Sequence, residues 1–139
     1  MFILRGNKIT FSHCRIVLAV LIVIAFAGAS LARSLGFLRH DMYWLQESLG
    51  GDKVSHMLMG AGLIVAGYLF IMPRSSLQFM KILLPTLCIL VLEEFSQIFL
   101  ATREFDWRDL NMGISGALAA TAVVYLYSVF DSNFRGESS

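Results

Sequence analysis

Residues 80–109, MKILLPTLCILVLEEFSQIFLATREFDWRD, decide the fold. The stretch opens as an apolar run of helical length, is interrupted near its end by Glu93, Glu94 and Gln97, and then carries five charges in the seven residues 103–109. A hydrocarbon core about 30 Å thick takes roughly 20 helical residues to cross. Residues 80–100 meet that requirement, and so, approximately, do 16–32, 54–72 and 110–130. The 139 residues are 57% hydrophobic and 15% charged, with a mean hydropathy of +0.70, which excludes an ordinary soluble domain. The expected fold is all-α: a polytopic membrane four-helix bundle forming one domain over residues 1–139. The spans use more than half the chain, so any chemistry has to sit in the helices or their short connections.

The first run follows Arg5, Lys8 and Arg15 and precedes Ala27-Gly28-Ala29, a pattern that also suits a secretory signal. Its apolar length favours a retained span. Cys14 and Cys88 fall at different membrane depths and are expected to act as small apolar fillers, not as a disulfide. A formal charge of +1 and the absence of nucleic-acid motifs give no reason to expect a polyanionic partner, and no nucleic acid is expected. No cofactor is expected either. Metal binding by Asp52, His56, Glu94 and Asp109 is only weakly signalled, because no close-spaced ligand pair occurs, so no metal site is assigned.

An even number of spans places both termini on one side. With the N-terminus cytoplasmic, that side carries six cations (Arg5, Lys8, Arg15, Arg74, Lys81, Arg135) against five opposite (Arg33, Arg39, Lys53, Arg103, Arg108). The positive-inside rule therefore leans slightly toward an N-in, C-in topology. In the connection 33–53, Leu35, Leu38, Met42, Leu45 and Leu49 recur at helical spacing, which predicts a short amphipathic helix in the interface between the first two spans, with Tyr43 and Trp44 at headgroup depth. Pro73-Arg74-Ser75-Ser76 forms a short turn that makes the second and third spans antiparallel neighbours. Pro85 sits early in the third span as a potential bend. Gly60, Gly62, Ala66 and Gly67 in the second span, and Gly113, Gly116, Ala117, Ala119 and Ala120 in the fourth, make small faces that suit close helix packing.

Alternation of direction brings the start of the second span, the end of the third and the start of the fourth to one membrane face. The polar residues sit at those places: Asp52, Lys53 and His56; Glu93, Glu94 and Gln97; Arg103, Asp106, Arg108, Asp109 and Asn111. A carboxylate about 10 Å below a helix end costs a few kcal/mol to bury in lipid and is expected to face the bundle. Gln97 and His56 are the expected partners of Glu94, with Arg103 reaching down from the loop; spacing alone leaves open which of Glu93 and Glu94 points inward. Plain structural roles compete at several positions. Asp52 and Asp109 suit helix N-caps, Trp107 an interfacial anchor, and the loop charges a set of solvated ion pairs.

These residues resemble the VanZ-like family of small bacterial membrane proteins. The family's three blocks read here as DKVSH (Asp52, Lys53, His56), EFSQ (Glu94, Gln97) and REFDWRD (Arg103, Phe105, Asp109), followed by Gly116, within residues 50–120. The resemblance selects Glu94 over Glu93. It departs at one point: Gly113 occupies the position where the family usually has Asn, and Asn111 lies two positions early. The resemblance implies a multi-pass protein of the bacterial inner membrane acting at the cell envelope, whose namesake is associated with glycopeptide resistance.

Two functions follow as expectations. In the first, the pocket binds a phosphate- or glycan-bearing lipid, such as a lipid-linked envelope precursor. Arg103, helped by Lys53 or Arg108, holds the anion, while His56 and Glu94 are candidate catalytic base and acid and Asp52, Gln97, Asp106 and Asp109 complete the site. In the second, the cluster is a structural lock in a non-catalytic assembly protein that works through a membrane partner. Whether the protein is an enzyme is left open by both.

Overall fold

The computed structural model describes residues 4–35, 44, 47–48, 51–100 and 104–136, with side chains from 12 to 131 within those ranges. Its order is α1 (Leu4–Ser34), α2 (Asp52–Ile71), α3 (Ser76–Ser96), a 3-10 turn (Gln97–Phe99) and α4 (Trp107–Gly136). Among the described residues four helices are long and apolar enough to cross a membrane, and the expected four-helix bundle is what they form. Most of the amphipathic helix expected over 33–53 lies outside the described residues, as do Tyr43 and Arg103.

The helices begin earlier than the apolar runs do. α1 starts at Leu4, α3 at Ser76 and α4 at Trp107. Polar residues extend a helix at no cost once it leaves the hydrocarbon, so apolar length marks the membrane span and not the helix end. Ser75 caps α3 by accepting from the Gln78 backbone N–H. Met72, in the left-handed region at φ 51°, closes α2 and donates its N–H to the Tyr68 carbonyl. Pro85 stands inside α3, and Thr86 beside it turns its hydroxyl back to the Ile82 carbonyl at 2.9 Å.

α2 is the central rod: α1, α3 and α4 all pack on it, and α3 also packs on α4. The buried core is Ile64, Ile82, Leu90, Leu110 and Ala117. The α2–α4 seam is closest, since a Cβ at Gly60 would land on the Gly113 carbonyl and one at Gly116 on the Met57 carbonyl. The small faces read from the sequence therefore let two backbones touch. Outward faces stay apolar, with Leu21, Ile24, Leu84, Leu92, Val123 and Leu126 each more than half exposed. So broad an apolar exterior is stable against lipid and not against water. Both cysteines are free and exposed on this exterior.

Candidate functional site

The polar residues of three helices meet at one end of the bundle, and α1 adds a fourth contribution. Glu94 in the last turn of α3 points inward and is 1% exposed, so it faces the bundle and not the acyl chains. Its Oε2 accepts from Gln97 Nε2 at 3.0 Å and its Oε1 from the Asp106 backbone N–H at 3.0 Å. The first bond spans one turn of α3 and the second ties the incoming loop of α4 to the end of α3. Gln97, 2% exposed, also donates to Glu93 Oε2 at 3.3 Å. Glu93 is therefore part of the network too, its other oxygen accepting from Ser30 Oγ of α1 at 2.9 Å.

His56, 3% exposed, lies one turn into α2. Its Nδ1 faces Glu94 Oε2 at 3.9 Å, while Nε2 faces Asp52 Oδ1 at 3.7 Å and Asp109 Oδ2 at 3.6 Å. These are electrostatic separations, longer than hydrogen bonds. The close α2–α4 seam explains why they are so short between different helices: Gly60 and Gly113 each sit four residues, about one turn, beyond His56 and Asp109 respectively.

Two assignments need correction. Asp52 is not the cap of α2: Gly51, at φ 97°, holds that position without a side-chain bond, leaving the Asp52 carboxylate to pair with Arg33 Nη2 at 2.8 Å. Asp109 is not the cap of α4 either. Asp106 serves there, its Oδ1 accepting from the Arg108 N–H at 2.8 Å and its carbonyl from the Asp109 and Leu110 N–H groups. Both freed carboxylates instead face His56.

Of the residues singled out in the sequence, Asp52, His56, Glu94, Gln97 and Asp109 converge, and Asp106 joins through its backbone. Lys53 is exposed, and Arg103 lies outside the described residues. Trp107 is 63% exposed and stands edge-on to Phe105 and Phe95, in keeping with an interfacial anchor. Sequence reasoning missed Ser30 and Arg33 as members of the cluster. The available signal was their spacing of three at the end of a span, which puts both on one helical face at the polar end of the bundle.

Beside this network a cavity of about 550 Å³ opens between α1 and α2. Ile22, Ala25, Phe26, Leu58 and Val65 are among its apolar lining, and Ser30, Arg33, Ser55, His56 and Glu93 gather toward one end. It is a slot with a greasy length and a polar head. No protein-family model, curated protein or solved structure matches the chain.

Proposed function

We propose that this is a VanZ-like protein of the bacterial inner membrane, N-in and C-in, that binds an amphiphilic lipid with a phosphate- or glycan-bearing head group at the cell envelope. The observation that carries this reading is the α1–α2 cavity, whose apolar walls run to a polar end holding Arg33, Ser30 and His56. A volume of about 550 Å³ lies within the range of small-ligand sites, large enough for a head group and the first part of an acyl or prenyl chain. Arg33 takes the role expected of Arg103, since a guanidinium at the cavity end can reach a phosphate by paired charge-assisted bonds. Lys53 and Arg108 belong to the same membrane face and would add positive charge. His56 remains the candidate base and Glu94 its orienter, and the order and spacing of the DKVSH, EFSQ and REFDWRD blocks support the family assignment.

The test is native mass spectrometry of the purified chain with phosphatidic acid or phosphatidylcholine in detergent. Phosphatidic acid is expected to be retained in preference, and Arg33→Gln to weaken that retention about tenfold, the scale of one charge-assisted bond. Equal retention of the two lipids, unchanged by Arg33→Gln, would defeat the reading.

A second reading, a structural lock in a non-catalytic assembly protein, is favoured by one feature: both oxygens of Glu94 are used by bonds inside the chain. If Glu94→Gln abolishes accumulation while a membrane partner still co-purifies with the residual protein, the lock is the function of the cluster.

A further inference from the structure

The two sides of His56 differ in kind. On the Nδ1 side the glutamates are occupied: Glu94 by Gln97 and the Asp106 N–H, and Glu93 by Ser30 and Gln97. On the Nε2 side a nearly fully buried ring nitrogen has no hydrogen-bond partner. Nearly all buried polar atoms in proteins are satisfied, so an orphan of this kind calls for an occupant.

We propose that Asp52, His56 and Asp109 form a binding site for one divalent first-row transition-metal ion of the zinc type. His56 Nε2 stands 3.7 Å from Asp52 Oδ1 and 3.6 Å from Asp109 Oδ2, and the three groups present one ligand atom each within 4.8 Å of one another. Those gaps are too long for hydrogen bonds, whose heavy atoms sit about 3 Å apart. They suit atoms straddling an ion, because two ligands on a tetrahedral centre with bonds of about 2.0–2.1 Å lie roughly 3.4 Å from each other.

The donor set has the right chemistry. One imidazole with two carboxylates, and positions left open, matches divalent zinc, iron or manganese better than calcium or magnesium, which prefer oxygen alone. Glu94 stands behind the ring at Nδ1, where a carboxylate favours the proton on that nitrogen and leaves the Nε2 lone pair for the metal, so that in the metal-bound chain His56 is a ligand and not the base. Arg33 holds Asp52 Oδ1, but a carboxylate offers about four lone pairs, so the guanidinium does not exhaust it. Asp52, Glu93, Glu94 and Asp109 gather four acidic side chains around one imidazole and the Arg33 guanidinium, a setting that attracts a dication. Of the two groupings around His56, the one with Asp52 and Asp109 is preferred because it faces the unpartnered ring nitrogen, whereas Glu93 and Glu94 lie on the Nδ1 side.

The ion's open positions would adjoin the polar end of the α1–α2 cavity, where His56 and Arg33 both line the wall. The proposal does not depend on the lipid reading, because metal content is measured with no lipid added. The full chain, purified in detergent and stripped with chelator, is dialysed against Zn²⁺ and its retained zinc counted by elemental mass spectrometry. One ion per chain is expected. His56→Gln and Asp109→Asn should each weaken retention at least about tenfold, while His13→Ala and Cys14→Ser, on α1 far along the chain, should bind as the parent does. Zinc K-edge absorption on the parent chain gives a readout that needs no variant to fold. It should show nitrogen and oxygen ligands with imidazole scattering. A sulfur shell, zinc lost in the His13→Ala chain, or retention unchanged in both His56→Gln and Asp109→Asn would overturn the proposal and leave an imidazole held between carboxylates by charge alone.

Discussion

Replacing Glu94 by alanine and by glutamine separates the two things its carboxylate does. Alanine removes both acceptors. The Asp106 N–H, now bonded to Oε1 at 3.0 Å in a part-buried place, loses its acceptor, which costs about 1 kcal/mol. The Gln97 amide loses its 3.0 Å bond and keeps only the 3.3 Å bond to Glu93. Emptying a site that is 1% exposed adds about 2 kcal/mol or more of lost packing, partly offset because a buried charge disappears. The net expectation is a loss of about 3 kcal/mol, close to 150-fold in the unfolding constant. Glutamine fills the same space and retains one acceptor for Asp106. Its amide end can meet Gln97 once that side chain flips, at the loss of the Glu93 bond, for a cost of about 1 kcal/mol. Equilibrium unfolding of the purified chain in mixed micelles against rising SDS, followed by loss of helical circular dichroism, measures both. An alanine chain within about 0.5 kcal/mol of the parent would refute the account of how the α4 loop is tied to α3. Glutamine as damaging as alanine would also refute it, by showing that the charge matters and the pair of acceptors does not.

Gly60→Ala should destabilise by about 1–3 kcal/mol in the same titration, because the new methyl meets the Gly113 backbone carbonyl and the helices must part. Gly28→Ala is its control: nothing lies within 4 Å of a Cβ there, so the helix should gain up to about 1 kcal/mol. Arg33→Gln should change unfolding by under about 1 kcal/mol, since its pair with the 45% exposed Asp52 side chain is well solvated, even though lipid retention falls. Ala29→Trp, which places an indole in the α1–α2 cavity, should abolish phosphatidic acid retention in native mass spectrometry while leaving zinc retention as in the parent.

The bundle was legible because lipid imposes a length on apolar runs, and four runs of that length leave few arrangements. The convergence of Asp52, His56, Glu94, Gln97 and Asp109 followed from alternation of direction alone, which fixes membrane height without any knowledge of packing. Azimuth was not legible in the same way. Height says that Ser30 and Arg33 share a level with the cluster, but only the lean of α1 on α2 turns them toward Glu93 and Asp52. The caps failed for a related reason. Asp52 and Asp109 have the right residue type, yet Gly51 at positive φ and Asp106 start the helices, so both aspartates were displaced by one to three positions into the first turn. The cavity depends on α1 standing off from α3, and no sequence pattern carries that spacing.

The glycines and the acids form a single device. Gly60 and Gly116 are placed so that α2 and α4 approach until a Cβ at either would strike a backbone carbonyl, and that approach carries His56 to within 3.6 Å of Asp109. Ordinary helix spacing of 8–10 Å would let the same side chains separate and hydrate. Close packing therefore gathers carboxyl groups around a dry imidazole nitrogen, with the Arg33 guanidinium on the exposed Asp52, an arrangement that a further cation would stabilise. A purely structural lock has no need of this tension, since Glu94, Gln97 and Asp106 already tie α3 to α4 on the other side of the ring. If Gly60→Ala lowers zinc retention through geometry alone, with every ligand intact, the seam and the charge cluster are one functional unit; zinc retention equal to the parent in a measurably destabilised Gly60→Ala chain would show that the seam serves packing only.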